Sequence, residues 1–534
     1  MVTRVTAPSA GEKLARRVAQ EMARQVAGKV ARNVQKNLKR AVSGTLGLSG
    51  ERMSKVDTAW LRMDCDANLM QIVGVWTLQP GVKYEAVRER IENTLLKYDR
   101  FRQRVIEDAA GATWVFDRSF DLANHLILEK LPKSARGRGE QALQDRVAEL
   151  ATERLAPAHP LWQMHLIEDY TGPDGVKGSA LIVRIHHCIA DGIALISVTM
   201  SLVDGGAAPP GRGSKDATPH SVEEWFEDTL LRPFTQLTVK ALGAMGEGAA
   251  RSLGMLGDPK KSVEQGLEQG IKSSLDLGKV LLQVLADTAA LALMPDDSKT
   301  RLKGTPGGVK KVAWCQPIPL DEVKAVGKAL NCSVNDVLLS CVAGALGEYL
   351  KAQGDEVAGQ EIRAMVPVNL RPREQTHKLG NHFGLVPLVL PIGLANPVER
   401  IYEVRRRMTA LKGSYQPLLA FSLLAMAGLL IKPAQDLMLN IFSKKTTAVM
   451  TNVPGPREKL KFCGATLEQS MFWVPQSGNV GLGVSILSYG GGVQFGVITD
   501  SALCPEPQRI IDEFVPEFAR LSIVTLMLPW HERP

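Results

Sequence analysis

The sequence predicts a mixed α/β (α+β) protein in which a long helical segment joins two halves. Short strand-like runs alternate with amphipathic helical patterns in residues 51–204 and again in residues 301–534. Residues 205–300 differ, because a linker rich in Gly and Pro is followed there by an almost wholly helical pattern. A chain of 534 residues exceeds one small domain, so we expect these three segments plus an N-terminal arm, residues 1–50.

The first half contains three predicted strands and two predicted helices. Gln71–Leu78 and Trp162–Glu168 are strand-like, and Leu181–Ile185 is so continuously apolar that we expect a buried strand. Glu85–Tyr98 and Glu140–Leu155 have helical spacing. The buried strand leads directly into the most chemically informative motif of the chain.

The second half repeats this mixture without a recognisable internal sequence repeat. Its predicted helices span residues 321–330, 334–350 and parts of 396–442. Its predicted strands span residues 311–318, 362–368, 446–451, 480–488 and 493–499. Any likeness between the halves is therefore expected in structure and not in sequence.

The net charge of +8 is confined to the N-terminal arm. Residues 1–50 hold ten basic side chains against Glu12 and Glu21, and the rest of the chain is balanced. The arm has the pattern of a basic amphipathic helix, which suits a solvated or partner-packed helix, docking on a membrane or lipid droplet, or a cleaved targeting segment. Nucleic acid is not expected as a partner, since no aromatic residues interleave with the basic ones.

The cysteines and the apolar runs indicate a cytoplasmic protein. Seven cysteines are scattered without a C-x-x-C pair, so neither disulfides nor a metal site is expected. The longest apolar run, Pro417–Ile431, is shorter than the roughly 20 residues that span a bilayer. We therefore expect a cytoplasmic protein, peripheral to the inner face of the membrane or to lipid inclusions.

The motif HHCIADG, residues 186–192, follows the buried strand and precedes a predicted helix. Adjacent strand residues face opposite sides, so His186 and His187 are not expected to share a cavity or bind one metal. One imidazole is expected to face a channel while the other braces the loop. With an ordinary pKa near 6.5, an imidazole suits the removal of a proton from a hydroxyl.

The remaining residues of the motif have supporting roles in this interpretation. Asp191 either orients the imidazole or pairs with an arginine elsewhere, and we favour the second. Gly192 permits a tight or left-handed turn. Cys188 should face away from the cavity, and no G-x-S-x-G elbow is present, so the sequence points to direct attack by the hydroxyl of a substrate.

The HH-x-x-x-D-G pattern resembles the signature of the coenzyme-A-dependent acyltransferase superfamily, which includes chloramphenicol acetyltransferase-like enzymes and nonribosomal condensation domains. Further motifs narrow the resemblance to the bacterial wax ester synthase/diacylglycerol acyltransferase family. They are Pro160-Leu161-Trp162, Asn335-Asp336, Val366–Arg371, Asn381–Gly384 and Asn452–Pro456. The resemblance covers about residues 51–530, so the basic arm lies outside it.

The resemblance implies two chloramphenicol acetyltransferase-like domains with a substrate channel between them. His187 would be the general base, His186 a supporting residue, and Asn335 and Asn452 substrate-binding residues of the channel. The enzyme would move a fatty acyl group from acyl-CoA to a long-chain alcohol or diacylglycerol, forming wax ester or triacylglycerol and free CoA. No cofactor is expected, because acyl-CoA is a substrate.

Other interpretations of these residues stay open at the level of sequence. Ser333 and Asp336 fit a helix capping box, and Asn452 fits a turn before Pro454. Another acyltransferase or condensation enzyme of the superfamily is the alternative catalyst. A non-catalytic protein of the lipid surface is the alternative without an activity.

Overall fold

A computed structural model describes residues 50–108, 111–132, 139–206, 295–369, 379, 381, 383–412 and 432–527. Three predictions therefore lie outside the described residues: the helical arm, most of the crossover between the halves, and the apolar run Pro417–Ile431. The division of the chain into four segments stays a prediction.

The described part of the first half contains seven strands and four helices. The strands are β1 (Glu51–Arg52), β2 (Gln71–Gln79), β3 (Gln103–Asp108), β4 (Gly111–Phe116), β5 (Leu126–Glu129), β6 (Trp162–Thr171) and β7 (Lys177–His186). The helices are α1 (Lys55–Arg62), α2 (Tyr84–Asn93), α3 (Gly139–Thr152) and α4 (Gly192–Leu202).

The described part of the second half contains nine strands and five helices. The strands are β8 (Lys310–Trp314), β9 (Ile318–Pro319), β10 (Ile362–Asn369), β11 (Phe383–Leu390), β12 (Ala448–Pro454), β13 (Lys461–Phe462), β14 (Ala465–Trp473), β15 (Leu482–Tyr489) and β16 (Gly492–Asp500). The helices are α5 (Leu320–Ala329), α6 (Val334–Ala352), α7 (Pro397–Lys412), α8 (Lys432–Ser443) and α9 (Gln508–Met527).

Each half has one large sheet, and the second half contributes two strands to the sheet of the first. The first sheet has the strand order β13-β14-β2-β7-β6-β5, and β14 pairs with β2 in antiparallel register from Thr466 opposite Gln79 to Trp473 opposite Val73. The second sheet has the order β11-β10-β12-β15-β16-β8, with β9 also paired to β16. A small sheet, β1-β4-β3, lies apart from both.

The packing of the core also joins the halves. One apolar cluster contains residues of β2 and α3 together with Trp314 of β8 and Trp473 of β14. Asn68 adds a polar tie, since its side-chain nitrogen donates to the carbonyls of Gly478 and Val480 at 2.7 and 3.1 Å. The Lys310 ammonium donates to the Asn68 side-chain oxygen at 2.6 Å. The halves thus form one packed body in the described residues.

Most predicted elements are present with bounds that differ by up to four residues, and two differ more clearly. The helix predicted to reach Tyr98 ends at Asn93, because Thr94 leaves the helical region with φ −129° and two short 3₁₀ turns follow. The strand predicted over residues 311–318 divides into β8 and β9 at Pro317, as expected for a residue without a backbone donor. No single described helix is long and apolar enough to span a membrane; only α5 and α6 pass that test together, across a 98° bend.

Candidate active site

The HHCIADG motif lies at the end of β7, where the strand leaves the first sheet. β7 is paired on both sides, with Gln71 of β2 opposite His186 and Trp162 of β6 opposite Ile185. The His187 backbone nitrogen still donates to the Met70 carbonyl at 2.7 Å, after which the chain turns into α4. The rigid centre of the sheet therefore fixes the start of the motif.

The imidazole of His187 forms a three-ring cluster with aromatic rings of the two halves. It stacks on Trp60 of α1 with ring centroids 4.3 Å apart and 15° between the planes, and Phe383 of β11 lies 5.4 Å away. Only 2% of His187 is exposed. The candidate base is therefore at the junction of the halves and shielded from water.

Burial dominates the protonation of His187. It lowers the pKa from 6.5 to about 4, because a charged imidazole loses its hydration there. The backbone carbonyl of His187, the Asp191 carboxylate and Asn381 act in the opposite direction and do not compensate. At neutral pH the ring is uncharged, which is the form that accepts a proton.

His186 faces the other side of the strand end and contacts the turn. Its Nδ1 accepts a hydrogen bond from the Cys188 backbone nitrogen at 3.1 Å, and its Nε2 lies 3.6 Å from an Asp64 oxygen. The two histidines thus have separate environments, as the alternation along a strand requires. Within the described residues, no group of three or more His, Cys, Asp and Glu could hold a metal ion.

Asp191 is the N-cap of α4. Its side chain accepts a hydrogen bond from the Ala194 nitrogen at 2.9 Å, and its backbone is extended, with φ −79° and ψ 172°. A carboxylate at this position satisfies a free helix donor and interacts favourably with the helix dipole. The predicted pairing of Asp191 with an arginine stays a prediction.

Of the two predicted alternatives for Gly192, a tight or a left-handed turn, the left-handed one is wrong. Gly192 is the first residue of α4 and is absent from the described glycines with positive φ. A Cβ at this position would meet no atom within 4 Å, so neither backbone strain nor a close approach requires glycine here. The turn is instead formed by residues 187–189, before the N-cap Asp191.

Cys188 is buried and unreactive in this geometry. Burial raises the pKa of its thiol well above 9.0, so the thiolate that a nucleophile requires is not formed at neutral pH. This agrees with the expectation that the reaction does not use Cys188.

Asn335 and Asn452 meet each other on the side of the second half. The Asn452 side-chain nitrogen donates to the Asn335 side-chain oxygen at 3.0 Å. Asn335 lies in the first turn of α6, which begins with the predicted capping box: the Ser333 hydroxyl accepts from the Asp336 nitrogen at 3.2 Å, and the Asp336 carboxylate accepts from the Ser333 nitrogen at 2.8 Å. The cap therefore accounts for Asp336, but it leaves the Asn335 amide for another role.

The sheet register relates the asparagine pair to His187. β10 and β12 are parallel, with Ala364 opposite Ala448, so Asn452 lies near the carboxyl end of β10. There β10 pairs with the start of β11, Asn369 opposite Phe383, and the Phe383 ring contacts His187. At about 4.8 Å between neighbouring strands, the backbone of Asn452 lies roughly 10 Å from the backbone of Phe383.

Three residues of the site received no role from the sequence. Asp57 and Trp60 are one helical turn apart on α1, and Asn381 stands just before β11. Asn381 belongs to a quoted motif, whereas the segment that contains Asp57 and Trp60 has only the pattern of an ordinary amphipathic helix. Their convergence on His187 is a long-range property of the fold that spacing along the chain does not reveal.

An apolar cavity of about 40 Å³ lies between α4 and the first sheet. Leu195 and Val198 of α4 line one wall, and Leu181, Val183 and Ile185 of β7 line the other. Because alternate strand residues share a face, the cavity lies on the face of β7 that carries these three side chains. His187, Trp60 and Phe383 are not among the residues that line it.

Comparison with known proteins identifies the family. Its model "Wax ester synthase/diacylglycerol acyltransferase catalytic domain" matches residues 53–338, which is more than half of the chain, and its model "WS/DGAT C-terminal domain" matches residues 379–522. The chain belongs to the wax ester synthase/diacylglycerol acyltransferase family. It is thus an acyltransferase that uses acyl-CoA and an acceptor lipid, and the predicted family is confirmed.

Individual members extend this similarity over nearly the whole chain. A probable diacylglycerol O-acyltransferase of Mycobacterium tuberculosis is 24% identical over 491 residues, covering 89% of this chain and 96% of the relative. The solved wax ester synthase/diacylglycerol acyltransferase of Marinobacter aquaeolei has a TM-score of 0.59 at 20% identity and is covered completely, against 89% of this chain. The starter condensation domain of rhizomide synthetase has a TM-score of 0.50 at 12% identity, with 90% of this chain and 95% of that domain covered. The predicted two-domain α/β fold is confirmed.

Proposed function

We propose that the enzyme transfers a fatty acyl group from acyl-CoA to the hydroxyl of a long-chain alcohol or of diacylglycerol. In this reaction His187 is the general base. The supporting observation is the buried, uncharged imidazole at the junction of the halves, stacked on Trp60. An imidazole with a pKa below the ambient pH is in the unprotonated form that accepts a proton, although the lower pKa also makes it a weaker base, and its burial restricts competing water.

The reaction proceeds by direct transfer, without an acyl-enzyme intermediate. The imidazole of His187 takes the hydroxyl proton of the acceptor while the oxygen attacks the thioester carbonyl. The tetrahedral oxyanion then collapses, the carbon–sulfur bond breaks, and the departing CoA thiolate recovers the proton from the imidazolium. The products are one ester and free CoA, and no cofactor takes part.

The Asn335 amide is the side-chain candidate for stabilising the oxyanion. Its oxygen already accepts the hydrogen bond from Asn452, so its nitrogen is the end that remains for a substrate oxygen. A preorganised donor stabilises the oxyanion of the transition state most where water is excluded from it. Asn335 itself is exposed in this structure, so substrate binding has to exclude that water. In this proposal Asn452 orients Asn335.

The apolar cavity beneath α4 is the candidate site for the acyl chain next to the thioester. Its walls are leucine, isoleucine and valine side chains of α4 and β7, and β7 ends directly before His187. A chain bound there would place its carbonyl end toward the imidazole. The same apolar walls would keep water from the thioester.

The basic arm is proposed to hold the enzyme at an anionic lipid surface. Its net charge of +8 lies within residues 1–50, and each basic residue close to a charged leaflet contributes about 1 kcal/mol of attraction. An acyltransferase for apolar acceptors gains from a position where both the acceptor and the ester partition. This places the enzyme on the cytoplasmic face of a membrane or on a lipid inclusion.

Product analysis tests the proposed reaction. The purified chain is incubated with labelled palmitoyl-CoA and either hexadecanol or diacylglycerol, and the lipids are separated. Labelled wax ester or triacylglycerol, formed with an equal amount of free CoA, is the expected result. Release of CoA with labelled palmitate as the only product would contradict transfer, and no turnover with either acceptor would favour a non-catalytic lipid-surface protein.

A further inference from the structure

Three buried residues from separate parts of the chain, one of them His187, are linked by hydrogen bonds. Asp57 belongs to α1, His187 follows β7, and Asn381 precedes β11; their exposures are 6%, 2% and 3%. We infer that Asn381, held in place by Asp57, is a positioning residue that fixes His187 for proton transfer. The inference rests on the base role proposed for His187 and adds the residues through which the fold sets its geometry.

The Asn381 amide bridges the other two residues with both of its hydrogens. Its side-chain nitrogen donates to the Asp57 carboxylate at 2.8 Å and to the His187 carbonyl at 2.7 Å. The Asn381 backbone nitrogen donates to the same Asp57 oxygen at 3.1 Å. Because two hydrogen bonds to one carboxylate oxygen hold both the backbone and the side chain of Asn381, its second side-chain hydrogen is aimed at His187.

The backbone of His187 is consequently held at both ends of the residue. Its nitrogen donates to the Met70 carbonyl at 2.7 Å, and its carbonyl accepts from Asn381. The position of the ring depends on this backbone, and a misplacement of about 1 Å can lower a rate about a hundredfold. Trp60, one helical turn beyond Asp57, stacks on the same ring. Helix α1 therefore acts on the ring of His187 through Trp60 and on its backbone through Asp57 and Asn381.

The carboxylate of Asp57 is tuned by burial and by its donors. The pKa of Asp57 is raised from 3.8 to about 6, because the effect of burial exceeds the opposite effects of the hydrogen bonds with Asn381 and Ser54 and of the charge of Arg100. The contact with Asn381 uses one oxygen as a double acceptor. An amide oxygen at this position would keep that acceptor, whereas alanine would leave two buried donors unsatisfied.

Two kinetic double-mutant cycles test the inference, with palmitoyl-CoA and hexadecanol as substrates. Asp57→Ala and Asn381→Ala should each lower kcat about a hundredfold, with KM for palmitoyl-CoA changed less than about twofold, because the interaction sets geometry and not binding. The double variant should be no more than about threefold slower than the slower single variant, since Asp57 acts through Asn381. Asp57→Asn should restore kcat to within about fivefold of wild type.

The second cycle separates this inference from the base assignment. Adding Asn381→Ala to His187→Ala should cause no further loss, because no base remains to be positioned. A further tenfold loss in that background would overturn the positioning role. A wild-type rate for His187→Ala alone would instead overturn the proposed base.

Asp297→Ala is the matched control. Asp297 is also a buried carboxylate with several hydrogen bonds, accepting from the Thr447 hydroxyl at 2.6 Å and the Arg363 nitrogen at 2.9 Å in the second half. The Asp297→Ala variant should have a lower melting temperature than wild type and an unchanged kcat.

Two results would refute the inference. One is a loss of kcat in the double variant equal to the product of the losses for Asp57→Ala and Asn381→Ala, and the other is an Asp57→Asn variant as slow as Asp57→Ala. If Asp57→Ala fails to fold, Asn381→Ala and Asp57→Asn give the same decision.

Discussion

The lowered pKa of His187 predicts a specific dependence of stability on pH. In the unfolded chain the imidazole has a pKa of 6.5, and in the folded protein about 4. The contribution of the neutral His187 to the free energy of unfolding is complete above pH 6.5. It is lost as the pH falls toward 4, because the unfolded state then binds a proton that the native state does not. Between about pH 7.5 and pH 5 the loss for this one group is about 2 kcal/mol of unfolding free energy.

Replacing His187 by a side chain that does not titrate isolates this contribution. The unfolding free energies of wild type and of His187→Gln are measured by urea denaturation at about pH 7.5 and pH 5. Their difference, wild type minus variant, should fall by about 2 kcal/mol at the lower pH, whatever constant packing penalty the variant carries. His187→Asn, which differs in size but also does not titrate, should give the same pH-dependent change. A difference that is equal at both pH values would refute the burial argument.

Three further predictions follow from the site and the arm. Asp191→Ala should lower the unfolding free energy by about 1 kcal/mol through loss of the α4 cap, and Asp191→Ser should retain most of it; an Asp191→Ala variant of wild-type stability without activity would contradict a bracing role. Val198→Phe, which fills the cavity under α4, should lower kcat/KM for palmitoyl-CoA more than for acetyl-CoA, whose acyl group has only one carbon beyond the thioester carbonyl, and an equal loss for both would exclude the acyl chain from that cavity. Deleting residues 1–50 should weaken binding to anionic vesicles in a salt-dependent way and spare turnover of soluble substrates. Vesicle binding unchanged by the deletion would remove the proposed role of the arm.

Local sequence signals predicted the elements that carry the motif. The continuous apolar run ending at His186 predicted the central strand β7, and the alternation along it predicted separate environments for His186 and His187, which the structure has. Ser333 and Asp336 likewise predicted their own capping box. These features depend on neighbours within a few residues, so the information was present in short segments.

Long-range features could not be obtained in this way. The pairing of β14 with β2 joins residues nearly 400 positions apart, and neither strand has a pattern that names its partner. Asp57 has the same difficulty: it reads as a first-turn carboxylate of α1, whereas its partner Asn381 lies 324 residues away. At Gly192 a local signal was misleading. A glycine after Asp suggests a turn, but Gly192 is already the first residue of α4.

The central claim is that the imidazole of His187 removes the acceptor proton. The most direct test measures transfer of labelled palmitate from palmitoyl-CoA to hexadecanol by wild type and by His187→Ala, with circular dichroism and thermal unfolding to verify that the variant is folded. A folded His187→Ala protein that forms ester at least about a hundredfold more slowly is the predicted result, since a positioned base contributes at least that much. A folded variant whose rate lies within a few-fold of wild type would contradict the claim.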